Sequence, residues 1–190
     1  MSYFGTAGQL LVGTAFSLVM IVVLLRVLLQ AAGANFYNPI CQGLHKLTEP
    51  GIGPMRRVLP PVRRIELAGV LLVWLLAVLK MYAITRLGGS AEPLAALMVA
   101  ALADSISLLL WIWFWALLAG VILSWVPVDN RNPAVPLVYQ ITEPLLAPIR
   151  RVLPQMGIDL SPMIAILAVQ LARILVVAPL SDWANRLALG

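Results

Sequence analysis

The sequence predicts an all-α integral membrane protein of two parallel repeats, with about four transmembrane helices plus proline-kinked interfacial helices. Its composition is the first observation: 62% of the 190 residues are hydrophobic and 11% are charged. The mean hydropathy is +0.96, whereas a soluble domain is roughly half apolar and a quarter charged. The second observation is that segment 38–60 recurs at 132–154. A period near half the chain length indicates two copies of one unit.

The residue inventory argues against most catalytic and metal chemistry. Cys41 and His45 are the sole cysteine and histidine, which excludes an internal disulfide, Cys/His zinc sites and HExxH helices. A Cys–His dyad four residues apart is less favoured than two ordinary interfacial side chains. The GIG at 51–53 lacks the third glycine and the strand of a dinucleotide fingerprint. We therefore expect a protein that is not an enzyme and that holds no cofactor or metal.

The first half contains two apolar runs. Residues 9–32 predict a retained transmembrane span, since they can cross a hydrocarbon core of about 30 Å. Arg26 near its polar end has two interpretations. The favoured one is that it snorkels to the headgroups, and the other is that it faces inward and binds a partner. Residues 67–84 predict the second span.

A polar link at 88–93 divides the predicted first repeat, 1–87, from the second, 94–190. The apolar stretch that follows the link is too long for one ordinary span and too short for two. We predict a short interfacial or dipping segment at 94–103 and a third span at 105–126.

The first motif copy, 38–60, has strong local signals. Asn38 followed by Pro39 predicts a helix start, because asparagine caps free backbone donors and proline suits the first helical position. Glu49 before Pro50 predicts a helix break. Two further prolines, Pro54 and Pro60, are expected to keep the segment short and kinked. The prediction is a short amphipathic helix on the membrane surface that ends in a rigid elbow.

The second motif copy matches the first at a constant offset of 94, as 132 − 38 shows. Asp159, after a one-residue shift, corresponds to Glu66 of the first half. Ser161 and Pro162 form a cap and first-turn pair that opens the fourth span at 162–179. The matched residues of the second copy are Asn132, Pro133, Thr142, Glu143, Pro144, Pro148, Arg150, Arg151 and Pro154. Thr48 of the first copy corresponds to Thr142.

Charge distribution predicts the orientation. Each motif copy follows one span and precedes another, so both copies emerge on the same side. Most of the 13 lysines and arginines lie there, and the positive-inside rule makes that side cytoplasmic with both termini opposite. A cationic membrane face also explains the net charge of +5 better than nucleic-acid binding does.

The same spacing between an acidic residue and two basic residues occurs in both copies and marks a candidate site in each. A glutamate is followed seven and eight residues later by two arginines. Such a surface can bind anionic lipid headgroups or a partner through the planar guanidinium. Alternatively, each glutamate forms a salt bridge with an arginine, within its own copy or across the pseudo-twofold axis. The residues are Glu49, Arg56 and Arg57, and Glu143, Arg150 and Arg151.

Three charged residues inside predicted spans form a second candidate cluster: Lys80, Asp104 and Arg173. They could brace the two halves, or they could form an ion or proton pathway. Two cations for one anion do not suit a potassium pathway, so the brace is favoured.

The doubled NP, TEP and P-x-RR-x-x-P pattern, with G-I-D-x-S-P after the second copy and LLRVLLQ before the first, resembles the YggT family. The resemblance implies a bacterial inner-membrane protein linked to osmotic-shock tolerance and potassium uptake. Its plastid and Gram-positive relatives are linked to cytochrome assembly, envelope organisation or division. In the first copy Arg63 and Arg64 stand where the second has the GID element.

Two functions are therefore expected. The first is a membrane organiser or assembly factor whose elbows bind anionic lipid headgroups or membrane-protein partners. The alternative is participation in potassium movement, or its regulation, during osmotic stress. Both a monomer and a homo-oligomer fit the sequence.

Overall fold

The computed structural model describes residues 3–126, 132–153 and 159–189. These residues form helices and short connections, and no β-strand occurs among them. A π-helical turn, Arg173–Val177, joins α6 to α7. The α-helices are α1 (Tyr3–Ala31), α2 (Pro39–Arg56), α3 (Leu67–Leu87), α4 (Leu94–Trp125), α5 (Ala134–Val152), α6 (Ser161–Ala172) and α7 (Ala178–Leu189).

Four continuous helical stretches among the described residues are long and apolar enough to cross a membrane. They are Tyr3–Ala31, Leu67–Leu87, Leu94–Trp125 and Ser161–Leu189. Their number agrees with the predicted four spans. The first begins six residues before the predicted 9–32, and the last continues ten residues past the predicted 162–179, although Pro179 lies within it.

The predicted division of 94–126 into a dipping segment at 94–103 and a span at 105–126 is wrong. Leu94–Trp125 is one helix of 32 residues, about 48 Å long at 1.5 Å per residue. No proline interrupts it, and Ser105 Oγ donates to the carbonyl of Ala101 at 2.8 Å within the helix. Such a serine bond keeps a polar side chain inside a helix satisfied.

Both motif segments also stay helical through their prolines, so the predicted helix break at Glu49 and Pro50 is wrong. Helix α2 contains Pro50 and Pro54, and α5 contains Pro144 and Pro148. A proline removes one backbone donor and crowds the preceding turn. In each copy, the threonine two residues before the first internal proline donates to a carbonyl four residues back. The distances are 2.7 Å for Thr48 and 3.0 Å for Thr142.

Each half of the chain has its own apolar core. The first joins α1, α2, α3 and α4, and its buried residues include Met20, Ile52 and Val73. The second joins α4, α5 and α6, and includes Leu117 and Val169. A smaller cluster, Leu29, Leu137 and Ile141, links α1 to α5 across the halves. The internal repeat therefore folds as two similar units in contact.

Close packing of α1 on α3 depends on a glycine. A Cβ atom at Gly69 would lie 2.5 Å from Val27 Cγ2, which is too short for two carbon atoms. Glycine allows such close approach of transmembrane helices. This contact fixes the end of α3 that carries the candidate site.

Candidate functional site

Asparagine side chains begin both motif helices and connect them. Asn38 Oδ1 accepts a hydrogen bond from the backbone N of Ile40 at 2.9 Å, with Pro39 in the first helical turn. Asn132 Oδ1 accepts one from the backbone N of Ala134 at 3.0 Å. Asn38 Nδ2 also donates to the carbonyl of Pro133 at 2.7 Å. The two motif segments therefore lie together at one end of the bundle, which we call the motif end.

Two arginines and two glutamates form the first ion cluster at the motif end: Arg26, Glu49, Arg56 and Glu66. Arg26 NH2 lies 2.8 Å from Glu49 Oε2, and Arg26 Nε lies 3.0 Å from Glu66 Oε2. Arg56 NH1 lies 3.1 Å from Glu49 Oε1, and Arg56 also pairs with Glu66. Each carboxylate therefore contacts both guanidinium groups, and the four charges cancel.

The favoured interpretation of Arg26 as a snorkelling residue is wrong. Its side chain is 4% exposed, and NH1 donates to Thr48 Oγ1 at 2.7 Å and to the carbonyl of His45 at 3.2 Å. Burial costs an arginine little when its donors meet charged and polar acceptors. Arg26 therefore faces inward, as the alternative interpretation held, and it ties α1 to α2 and α3.

Sequence reasoning did not select Glu66 as a site residue, although it is 1% exposed and holds both arginines. Its correspondence with Asp159 was the available signal. A carboxylate directly before an apolar span, with an arginine inside the preceding span, indicates a buried ion pair.

The electrostatics of the first ion cluster keep its outer members charged. Burial alone would raise the pKa of Glu49, but the hydrogen bond from Arg26 and the charges of Arg56 and Arg26 outweigh it and lower that pKa. Hydrogen bonding to Glu66 is the main cause that raises the pKa of Arg56. Glu49 and Arg56 are therefore both charged throughout the physiological pH range.

The second copy has a more exposed version, the second ion cluster: Glu143, Arg150 and Asp159. Arg150 NH1 lies 3.0 Å from Glu143 Oε2, and Arg150 Nε lies 3.0 Å from Asp159 Oδ2. All three side chains are at least 43% exposed. Hydrogen bonds from Ser161 and from Arg150 lower the pKa of Asp159.

Helix α6 begins differently from the prediction. Asp159 Oδ1 accepts a hydrogen bond from the backbone N of Ser161 at 2.9 Å, and Ser161 is the first helical residue, with Pro162 in the same turn. Ser161 therefore does not cap the helix: Leu160 lies at the cap position, and the Asp159 side chain accepts the hydrogen bond of the first helical N–H. Pro60 follows α2 outside any helix, and Pro154 lies outside the described residues.

The two copies differ because the second lacks the buried arginine. At the offset of 94, Arg26 corresponds to Gly120. With no guanidinium in that place, the second cluster has two carboxylates and one arginine, exposed to solvent. In both copies, however, glutamate and the first arginine form a salt bridge within their own copy. Thus the interpretation of these residues as structural salt bridges accounts for Glu49 with Arg56 and for Glu143 with Arg150.

The second arginine of each pair is different. Arg57 and Arg151 are exposed, and neither forms a salt bridge with any carboxylate of the described residues. Each is followed by an exposed valine, Val58 at 81% and Val152 at 85% exposure. The motif end therefore presents the same arginine–valine pair twice.

The first copy carries further cations that form no salt bridge with the described residues. Lys46, Arg63 and Arg64 are exposed. Arg63 has φ 56° in a tight turn closed by two 3.0 Å hydrogen bonds between Val62 and Ile65. A positive φ is uncommon for a residue other than glycine, so this turn holds the Arg63 backbone in a defined and unusual conformation.

A pocket of about 420 Å³ opens beside the first ion cluster. Arg26, Arg56 and Glu66 line it, together with Cys41 and His45. Burial raises the pKa of the Cys41 thiol, which makes it a poorer nucleophile. Among the described residues, no group of three or more His, Cys, Asp or Glu side chains is placed to hold a metal ion.

The cluster expected from Lys80, Asp104 and Arg173 forms only in part. Lys80 Nζ lies 2.7 Å from Asp104 Oδ2 and 3.2 Å from Ser17 Oγ. This ion pair braces α3 of the first half against α4 of the second. Arg173 takes no part in it, because its guanidinium lies 4.3 Å from the centre of the Trp111 ring.

The long apolar helices, with two ion clusters at one end, define a multi-pass helical membrane protein. The chain belongs to the CCB3/YggT family, whose model matches it twice, over residues 6–87 and 99–180. The two matches support the internal repeat. Boundaries at 88–93 remain a prediction.

Relatives in several bacteria cover most of the chain. YggT of Escherichia coli (strain K12) is 39% identical over 158 residues, 83% of this chain and 82% of the relative. A Vibrio alginolyticus protein described as uncharacterized, in the proC 3′ region, is 42% identical over 168 residues, 87% of this chain and 90% of the relative. An uncharacterized Pseudomonas aeruginosa protein is 40% identical over 175 residues, which are 90% of this chain and 89% of the relative. No solved structure matches the chain.

Proposed function

We propose that the protein is a non-enzymatic organiser of the bacterial inner membrane that holds anionic lipid headgroups, and through them membrane proteins, at its motif end. The observation that carries the proposal is the repeated exposed pair, Arg57 with Val58 and Arg151 with Val152. A guanidinium with free donors suits a phosphate, and an exposed valine beside it suits the adjacent acyl region.

The paired arginines have a different role in this proposal. Arg56 and Arg150 are held by carboxylates of their own copies, so they position the helix end and leave the next arginine free. Lys46, Arg63 and Arg64 add positive charge to the first copy. Basic residues near an anionic surface contribute about 1 kcal/mol each. We therefore expect the first copy to hold more lipid than the second.

A lipid-binding measurement with a charge-matched control tests the proposal. The test variant is Arg57→Gln/Arg151→Gln. Its control is Arg86→Gln/Arg186→Gln, which removes the same charge at helix ends away from the motif segments. Purified protein is titrated with phosphatidylglycerol or phosphatidylcholine in detergent, and bound lipid is counted by native mass spectrometry.

We expect the test variant to lose phosphatidylglycerol adducts while the control keeps the wild-type number. Phosphatidylcholine binding should change little in either variant. Equal losses in the two variants would refute binding at the motif end, since net charge alone would then explain the result.

A further inference from the structure

The environment of Arg173 points to an unfilled interaction within the membrane. Arg173 opens the π-helical turn of the fourth span, and π-helical turns often occur at functional sites. Its guanidinium stacks on Trp111 at 4.3 Å, and NH1 lies 3.5 Å from Gln170 Oε1. No carboxylate of the described residues pairs with it. Within the described part of the chain, this permanently charged group therefore has no anion.

The two other cations that lie more than one helical turn from a span end are buried and paired. Arg26 and Lys80 are 5% and 7% exposed, and each contacts at least one carboxylate. Arg173 is only half-buried. Charged residues within spans normally face a partner or a wet cavity, and no carboxylate partner for Arg173 lies among the residues that the structure describes.

The surface around Arg173 is shaped to receive a helix. A groove of about 350 Å³ runs beside it, lined by Gln170, Ile174 and Val177. Apolar side chains of α4 and α6 are exposed: Trp115, which stacks on Trp111, is 58% exposed and Leu171 is 56% exposed. Apolar flanks around one polar centre fit a transmembrane helix that carries one polar residue.

Depth separates Arg173 from the headgroups. It follows the 12 residues of α6, about 18 Å from the motif end at 1.5 Å per residue. Helix α3 has 21 residues, about 31 Å by the same rise, which matches a hydrocarbon core of about 30 Å. Arg173 is then about 12 Å from the far boundary, too far for its side chain to reach a phosphate.

A second copy of this chain cannot supply the anion. Copies inserted in one orientation hold equivalent residues at equal depth. Within the spans the acidic residues are Asp104 and Asp182. Asp104 already pairs with Lys80, and Asp182 lies nine residues beyond Arg173, about 14 Å along the helix. Asp104 is therefore occupied and Asp182 lies at another level, so neither carboxylate is placed to pair with Arg173 of a neighbouring copy.

We propose that the Trp111–Gln170–Arg173 face is a docking site for a transmembrane helix of another protein that carries an aspartate or glutamate near its middle. The guanidinium, held flat by Trp111, presents its free donors to that carboxylate. This contact is independent of the lipid-binding proposal, because it uses a different surface.

The test uses a polyleucine transmembrane peptide with one central glutamate, and the same peptide with glutamine. Protein carrying a donor dye at its N-terminus is reconstituted with acceptor-labelled peptide in phosphatidylcholine vesicles, and association is measured by energy transfer. We expect the glutamate peptide to associate at least about threefold more strongly than the glutamine peptide. Arg173→Leu should abolish this preference, and Arg173→Lys should keep part of it.

Arg86→Leu is the matched control, because Arg86 also lies over an aromatic ring, 5.1 Å from the centre of Tyr82, but at a helix end. It should leave the glutamate preference unchanged. A preference that survives in Arg173→Leu, or no preference in the wild type, overturns the proposal. So does Arg173-dependent energy transfer between copies of the protein, or Arg173-dependent binding of phosphatidylglycerol, since a second copy or a lipid would then occupy the face.

Discussion

Replacing Arg26 by methionine should cause a large loss of stability, because Arg26 completes a buried charge network. Methionine keeps an unbranched stem but removes the group that holds Glu66 Oε2 at 3.0 Å and Glu49 Oε2 at 2.8 Å. Glu66 is 1% exposed and would keep only Arg56. Breaking a buried ion pair by removing one partner costs about 3 to 5 kcal/mol.

The second ion cluster provides the matched comparison. Arg150 makes two 3.0 Å contacts with carboxylates, but its side chain is 43% exposed. Exposed ion pairs contribute about 0.2 to 1 kcal/mol. Arg150→Met should therefore lower the free energy of unfolding by less than about 1 kcal/mol, although it removes the same chemical group from the equivalent motif.

The free energy of unfolding of both variants can be measured by SDS titration in mixed micelles, followed by helical circular dichroism. A third protein, Arg26→Met/Glu66→Met, should recover much of the loss, since replacing both partners by apolar groups leaves no buried charge unpaired. If Arg26→Met costs no more than Arg150→Met, or if the double variant recovers nothing, the first ion cluster does not act as a buried network.

Three further predictions follow from individual contacts. Asp104→Asn should lower the free energy of unfolding by about 3 kcal/mol, because it leaves Lys80 buried without its carboxylate; the same titration checks this, and no loss would contradict the brace. The pKa of Glu49 lies below its ordinary value of 4.5, so its carboxylate stabilises the fold above that pH and this contribution is lost as pH falls. The stability gap between wild type and Glu49→Gln should therefore shrink in acid, and a gap independent of pH would show that ionisation is irrelevant. Gly69→Ala should lower the free energy of unfolding by about 1 to 3 kcal/mol through overpacking. Gly43→Ala should not lower it, because an added Cβ there meets nothing within 4 Å. Equal melting temperatures of the two variants would refute the close contact of α1 and α3.

Local signals predicted the local features of this molecule well. Asn38 with Pro39 begins a helix as expected, and long apolar runs become long helices. The predicted break at Pro50 did not occur: α2 continues through Pro50 and Pro54, and its buried Ile52 packs in the first apolar core. Tertiary packing of this kind lies outside a rule that considers only the residue before a proline.

The candidate site was predicted in its parts but not in its assembly. A salt bridge from Glu49 to an arginine of its own copy was one of the alternatives that the motif offered, and the Glu49–Arg56 pair forms. Nothing in that spacing indicated that Arg26, 23 residues earlier, would enter the same cluster. Whether an arginine in a span turns outward or inward depends on which partners the neighbouring helices bring to it.

Sequence by itself determined that this protein lies in a membrane, that it is a doubled unit, and that both motif copies share one end of the bundle. These follow from composition, length and order along the chain, which do not depend on packing. Only the tertiary structure decided which charges are buried and which are free. Arg26 and Arg56 form salt bridges with Glu49 and Glu66, whereas Arg57 and Arg173 have no carboxylate partner among the described residues. A charge is neutralised only by groups that packing brings within a few ångströms.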